Sequence, residues 1–521
     1  METSKKAFYS RADLMSIKKK RFSRALPILA VILIFAAVCS AQEIEATIKI
    51  ESVSPPVVRV DGRFLVRNNS KNWTFLRSIA GIENLGERIS ELKLEDKDGK
   101  EISYKKLMAG EYLAEGSATR FSYKVDLSAP KKLSGMAHVS WISDDQGLFM
   151  LGDLLPQFEW QFGGTVSADI RLELPEEWTA VPDERRPGKN SLVVHDVEHA
   201  VFFVGKNLRK IAGLVGKDKL IGKDWWGKHS VDILTSDEWL FSDDEALDIA
   251  SEIVNEYENI FNRIPDRSAQ IFLIKFPAGT KPGNWEAETR GSNVVILSSD
   301  MPFKNQSVQR LHEQLRHELF HLWIPNNLAL TGNYDWFYEG FALYQSLRTG
   351  IGLNRIRFED FLDTLARAYD LDSLQSGKLS LIEASKNRWS GSNAQIYARG
   401  MLVAFLCDVA LLRTSKGKRS VSDILRLVYQ KHQKPNKAED ANAAILNILE
   451  TQVELRPIVE RYIKGAEKID WRVDLNSAGI QQSGENFPAK LTVKSKLSGR
   501  QKDLLDKLGY NNWRKLVPKS K

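Results

Sequence analysis

From residue 44 to about residue 215, short apolar runs alternate with turn residues. ATIKIESV, RFSYKVDL, HVSWIS, ADIRLELP and SLVVHD read as strands, and their spacing predicts an all-β N-terminal domain resembling a sandwich. The period changes at FSDDEALDIASEIVNEYENIFNRIP, where Ala246, Ile249, Ile253, Tyr257 and Ile260 form a helical stripe. Ser242 and Glu245 make a capping box at its start, and Pro265 lies just beyond its end. Two strand-like runs follow, AQIFLIKF and SNVVILSS. After Asp300 the pattern is mainly helical to about Gly465, and the last segment combines strand-like KLTVKSKL with helical RQKDLLDKLG. No internal repeat is present.

One helical segment carries chemistry. In SVQRLHEQLRHELFHLW, Val308, Leu311, Leu315, Leu319 and Leu322 recur at three and four, so the segment is an amphipathic helix. His317 and His321 stand one turn apart on another of its faces, close enough for both imidazoles to reach one metal ion. Glu318 projects about 100° around the helix, badly placed to chelate beside them but suited to meet a water and move its proton. A hydrolytic zinc needs three protein ligands and one open position. Glu339, in the second helical stretch DWFYEGFALYQSLRTG, is the candidate third ligand. PNNLALTGNYD returns the chain so that Glu339 faces the two histidines. Its apolar flanks Trp336, Phe337 and Phe341 are an odd setting for a solvated acid.

HELFHLW followed by WFYEGFALY resembles the gluzincin metallopeptidases, whose third metal ligand is a Glu on the next helix. The similarity is to the glycyl aminopeptidase-like peptidases, relatives of aminopeptidase N and leukotriene hydrolase, and covers about residues 230–465. It implies a thermolysin-like catalytic domain over residues 216–380, a helical region closing the cleft over 381–465, and one zinc ion per chain. The stretch YARGMLVAFLCDVALL is similar to the helix that carries that family's catalytic tyrosine. By this match Tyr397 donates a hydrogen bond to the tetrahedral oxyanion. The family also implies a glutamate on an edge strand that grips the substrate's free amine. GNWEAETRGSN looks like a diverged form of that motif, with Glu286 the better match and Glu288 the alternative. Two departures stand out: Ile324 follows Trp323 where the family tends to have Asn, and the amine-binding motif has become Gly283-Asn284-Trp285-Glu286-Ala287. The family's C-terminal PDZ module is not expected here.

Composition narrows the setting. SIKKKRFSR followed by ALPILAVILIFAAVCSAQ has the order of a secretory leader, cleaved after Ala41, with an uncleaved membrane anchor over residues 25–41 as the alternative. Of the total charge of +7, residues 1–24 carry a net +6 and residues 490–521 a net +8, so the body between them is acidic. That distribution argues against a nucleic-acid partner, and the basic extension, residues 466–521, is expected to end in solvent. Of the two cysteines, Cys39 belongs to the leader. Cys407 alone remains, so no intramolecular disulfide forms, which points to a bacterial envelope or secreted protein. HDVEH at 195–199 matches an inverted zinc motif, but it falls in strands and a turn, where His195 and His199 do not converge.

The reading is therefore a multi-domain α+β chain, an exported zinc metallopeptidase, with aminopeptidase action on short peptides as the leading subtype. Its expected partner is a peptide substrate, with membrane contact only through a retained leader. Two alternatives stay open: a zinc-binding scaffold protein with weakened catalysis, and a zinc hydrolase acting on a non-peptide bond.

Overall fold

The N-terminal alternation becomes three sheets in the computed structural model, which describes residues 43–66, 70–157, 166–182, 191–215, 229–265, 268–277, 279–483, 487–509 and 512–516. The leader expected at residues 1–41 lies outside the described residues. The largest sheet has six strands in the order Leu192–Val194, Ala168–Glu173, Ile44–Val53, Pro56–Phe64, Arg120–Asp126, Ile89–Glu95. Only the pairing of Ile44–Val53 with Ala168–Glu173 is parallel. Along Ile44–Val53 the alternation sorts cleanly: Ile44, Ala46, Ile48 and Ile50 are buried, whereas Glu45, Lys49 and Glu51 face solvent. A four-stranded antiparallel sheet (Thr179–Val181, Val201–Gly205, Gln146–Met150, Trp141–Ile142) and a three-stranded one complete this region.

The next sheet has five strands: β1 (Arg209–Val215), β2 (His229–Thr235), β3 (Ala269–Lys275), β4 (Trp285–Arg290) and β5 (Asn293–Ser298), in the order β1-β2-β3-β5-β4. The β2–β3 and β3–β5 pairs are parallel, whereas β4 runs antiparallel to β5 and forms the edge. Both faces are apolar because both are covered. Val231, Ile233, Ile271, Leu273, Val294 and Ile296 face the helices. Leu234, Phe272, Ile274, Val295 and Leu297 face Trp141, Leu148, Met150 and Phe203 of the four-stranded sheet. The sheet therefore joins the N-terminal region to the helical one, with an apolar face buried on each side.

Six helices matter for the site: α1 (Asp243–Phe261), α2 (Lys304–Glu318), α3 (Gly340–Gly352), α4 (Phe358–Leu374), α5 (Asn393–Thr414) and α6 (Val421–His432). The expected capping box at Ser242 and Glu245 is present on α1. Helix α5 has an apolar window long enough to cross a membrane, but 94% of that window is buried inside the protein, so it is a core helix. Its Asp408 is satisfied by Tyr344 Oη at 2.6 Å, Arg348 Nε at 3.3 Å and the Val421 amide at 2.9 Å.

The C-terminal end departs from the sequence expectation. Much of the extension is docked: Gly499–Gly509 forms a helix whose Leu504, Leu505 and Leu508 are buried in the same core as α3, α4 and α5, and Trp513 joins them, whereas residues 517–521 lie outside the described residues. Arg348 on α3 donates to the carbonyl oxygens of Leu508 and, at 2.8 Å, Lys507. The basic count misleads because Lys502 and Lys507 lie on the outer face while the leucine stripe docks.

Candidate metal centre and active-site cleft

Helix α2 packs its leucine stripe inward: Leu311, Leu315, Leu319 and Leu322 are buried with Tyr257 and Phe261 of α1. After Glu318 the helix tightens into a 3-10 turn, Leu319–Leu322, so His321 sits just past the α-helical part expected to hold it. Trp323 stacks on Phe261, with ring centroids 5.4 Å apart, and anchors this turn against α1. The two histidines still converge, with Nε2 atoms 3.3 Å apart. His321 Nδ1 donates to the Ile324 carbonyl at 3.0 Å, which leaves the Nε2 lone pair facing inward.

Glu339 arrives from the next helical segment, between the single turn Asp335–Tyr338 and α3. Its Oε2 lies 3.1 Å from His317 Nε2 and 3.6 Å from His321 Nε2. A tetrahedral zinc with bonds of about 2.0–2.1 Å requires donor atoms about 3.3–3.4 Å apart. The three donors fit that ion, and their two-nitrogen, one-oxygen chemistry suits it. Burial disfavours charge on Glu339, but Arg388 and the two histidines more than offset this and hold its carboxyl well below the usual range. Burial also opposes charge on His321, yet Glu339 and then Glu318 raise its pKa to about 9. A field that draws a proton there draws a metal cation by the same sign.

Helix packing brings Tyr397 to this cluster. Gly340 and Gly400 meet backbone to backbone: a Cβ on Gly340 would lie 2.5 Å from Gly400 Cα, and one on Gly400 would lie 2.8 Å from both Gly340 Cα and the Trp336 carbonyl oxygen. Tyr397, one turn earlier on α5, is thereby set 6.2 Å from His317, ring centroid to ring centroid. Burial and then Glu339 push its hydroxyl well above the usual tyrosine value, so it stays a proton donor. Glu318 projects into the same cleft, where its Oε2 accepts a hydrogen bond from Thr289 Oγ1 at 2.7 Å.

Glu286 and Glu288 lie on edge strand β4 and line this cleft, a cavity of about 980 Å³. Glu288 is already engaged: the His138 ring of the N-terminal region lies against its carboxylate, and Arg290 Nε lies 3.5 Å away. Burial disfavours its charge, but His138 and Arg290 hold its carboxyl below the usual value. For Glu286 burial dominates and pushes the carboxyl up. His195 and His199 are separated by a turn between strands, as the sequence indicated. His312 is fully buried and accepts a hydrogen bond from Arg316 at 2.6 Å.

Sequence reasoning missed four contributors. Arg388 ties the cluster together: it pairs with Asp335 at 2.8 Å and Glu339 Oε1 at 3.0 Å, and donates to Tyr397 Oη at 3.0 Å. Thr289 holds Glu318. Asn326 Nδ2 donates to the carbonyls of Thr289 and Gly291, each at 3.1 Å, and fastens the edge strand beside the histidine turn. His138 engages Glu288. Only Thr289 carried a usable signal, through its place on the expected edge strand.

No family model and no curated protein matches the sequence. Solved structures do match. An aminopeptidase N family protein from Idiomarina loihiensis superposes with a TM-score of 0.70 at 16% identity, covering 88% of this chain and 82% of that one. A mutant M1 zinc metallopeptidase from Deinococcus radiodurans, solved with a Tyr-Ser-Ala substrate, gives 0.53 at 13% identity, covering 82% and 95%. The same metallopeptidase without the mutation gives 0.51. The chain thus shares the fold of these solved structures, with a sheet-rich N-terminal region and a helical C-terminal one.

Proposed function

We propose that the chain is an exported zinc aminopeptidase that hydrolyses short peptides, with residues 1–41 directing its export. The observation that carries this reading is the convergence of His317, His321 and Glu339 at tetrahedral spacing beside a carboxylate that is not one of the three, Glu318. The aminopeptidase N-type fold of its structural neighbours supports the peptidase class.

His317, His321 and Glu339 would hold the zinc. When bound there, zinc supplies Lewis acidity, lowering the pKa of water and polarising a carbonyl. Glu318 takes the proton of the attacking water and passes it to the leaving amine; the Thr289 hydroxyl keeps its carboxylate oriented for both transfers. Tyr397 donates to the oxyanion that develops on the former carbonyl. Arg388 donates to Tyr397 Oη and holds the hydroxyl at the edge of the cluster. Glu286, unlike Glu288, has no ion-pair partner among the described residues, so Glu286 is assigned to the substrate ammonium and Glu288 to holding His138.

Metal analysis of the purified protein joined to a peptide screen tests this. One zinc per chain and cleavage of free-amine peptides over their N-acetylated forms are expected. Glu318→Gln should keep the zinc and lower kcat by about 10²–10⁴-fold. Full zinc with no turnover by the native protein would instead identify a scaffold. Turnover indifferent to the amine would identify a different hydrolase.

A further inference from the structure

Arg316 precedes the first histidine of the motif, yet its side chain turns away from the metal cluster. It is 2% exposed and lies between α2 and α3. Its Nη1 donates to His312 Nδ1 at 2.6 Å, and its Nε reaches Ser346 Oγ at 3.5 Å. Gly350 makes room for it: a Cβ there would stand 2.9 Å from the guanidinium carbon. Neighbouring arginines are matched with acids, Arg310 with Glu313 at 2.9 Å, Arg355 with Glu252 at 2.6 Å and Arg357 with Asp360 at 2.6 Å. Arg316 has no ion pair with any Asp or Glu among the described residues, and its Nη2 makes no hydrogen bond there. Its imidazole partner adds no negative charge: burial, Arg316 and Arg355 push His312 down to about 3, so the ring is neutral. Tyr257 and Glu313 favour its charge from a distance, but an arginine buried this deeply without a direct ion pair is costly to keep.

Its position gives that cation a use. Arg316, Glu313, Leu347 and Thr364 line the active-site cleft and also a second cavity of about 790 Å³, so the guanidinium stands where the two spaces meet. Glu288 and His138 mark the N-terminal side of the cleft. Ser346, which Arg316 touches, lies two turns down α3 from Glu339, about 10 Å along the helix axis. An extended peptide advances about 3.3–3.6 Å per residue. A substrate whose amine is held by Glu286 and whose scissile bond lies at the metal cluster would bring a group about three residues further on to the guanidinium.

We propose that Arg316 forms a carboxylate-binding subsite for the leaving portion of the substrate, making the enzyme selective for short peptides that carry an acid two to three residues beyond the cleaved bond. The planar guanidinium offers a carboxylate a charge-assisted hydrogen bond, and no acid among the described residues takes it up. The acid is either the C-terminal carboxylate of the peptide or an acidic side chain. The proposal rests on the aminopeptidase reading.

Neutral peptides with leaving segments of one to four residues, each as free acid and C-terminal amide, provide the test. The native zinc enzyme should show kcat/KM at least tenfold higher for the acid, with the ratio largest at two to three leaving residues. In Arg316→Met the ratio should fall to near one, and Arg316→Lys should keep part of it. Because a ratio is read, a general loss of activity in the variants cancels. Terminal amides with a glutamate in the leaving segment separate the two sources: recovery of the fast rate assigns the subsite to acidic side chains, and no recovery assigns it to the terminus. A native ratio near one overturns the proposal without any variant, as does an unchanged ratio in Arg316→Met. Calorimetric binding of the same acid and amide pairs to Glu318→Gln reads the subsite without turnover. If no peptide is cleaved but the acid still binds tighter, the aminopeptidase reading fails and the subsite stands.

Discussion

Glu286 and Glu288 point the same way from β4, two residues apart, and their surroundings divide the labour between them. Glu288 is engaged by His138 and Arg290, whereas Glu286 keeps a carboxyl that burial makes easier to protonate. An ammonium is held by the carboxylate form alone, so KM for free-amine peptides should fall as pH rises through the elevated pKa of Glu286. The same elevation means that ionising Glu286 costs folding stability above that pH. A pH–KM profile checks this: Glu286→Gln should raise KM and erase the acid limb, and a retained limb would assign it elsewhere. At this scale the sequence was informative where spacing is local. His317, Glu318 and His321 announce themselves within six residues, and Glu339 lies a short excursion away. Arg388, Thr289 and His138 did not, because an arginine in a polar stretch or a lone threonine gains its role only when distant segments meet.

Elements set the distances that residues exploit. The Gly340–Gly400 contact lets α3 and α5 approach as no pair of side-chain-bearing residues could, and it fixes Glu339 relative to Tyr397. Gly400→Ala should therefore destabilise the protein by about 1–3 kcal/mol through overpacking, measured by denaturant unfolding. Activity should fall further than the unfolded fraction explains, since Tyr397 rides on the displaced helix. Helix α1, with its stripe and capping box, was legible outright. Strand β4 was not: Trp-Glu-Ala-Glu-Thr-Arg has little strand propensity, and only the ladder to β5, with the resemblance to an edge-strand motif, places it. The change from α-helix to 3-10 turn after Glu318 likewise left no trace in the leucine periodicity.

At the scale of the whole molecule, the five-stranded sheet serves two cores at once. Phe272 points to the N-terminal region while its neighbours Ile271 and Leu273 point to the helices. Phe272→Ala should cost about 3–5 kcal/mol. Because the sheet is common to both sides, near- and far-ultraviolet melting curves should shift together rather than split into two transitions. Hydrophobic alternation forecast the two regions but not their union, since a strand buried on both faces looks the same whichever partners cover it.

Arg348 lies on the helix that begins beside Glu339, and its guanidinium, besides meeting Asp408, donates to carbonyls of the helix Gly499–Gly509. That helix works as a wedge under α3. A cut or fusion ahead of Gly499 would strip a nearly sealed-in cation of its backbone acceptors, and the loosened rod is the one that follows Glu339 of the candidate metal cluster. Engineering around Gly499–Gly509 is in this protein engineering of the candidate metal centre, carried out from the far side.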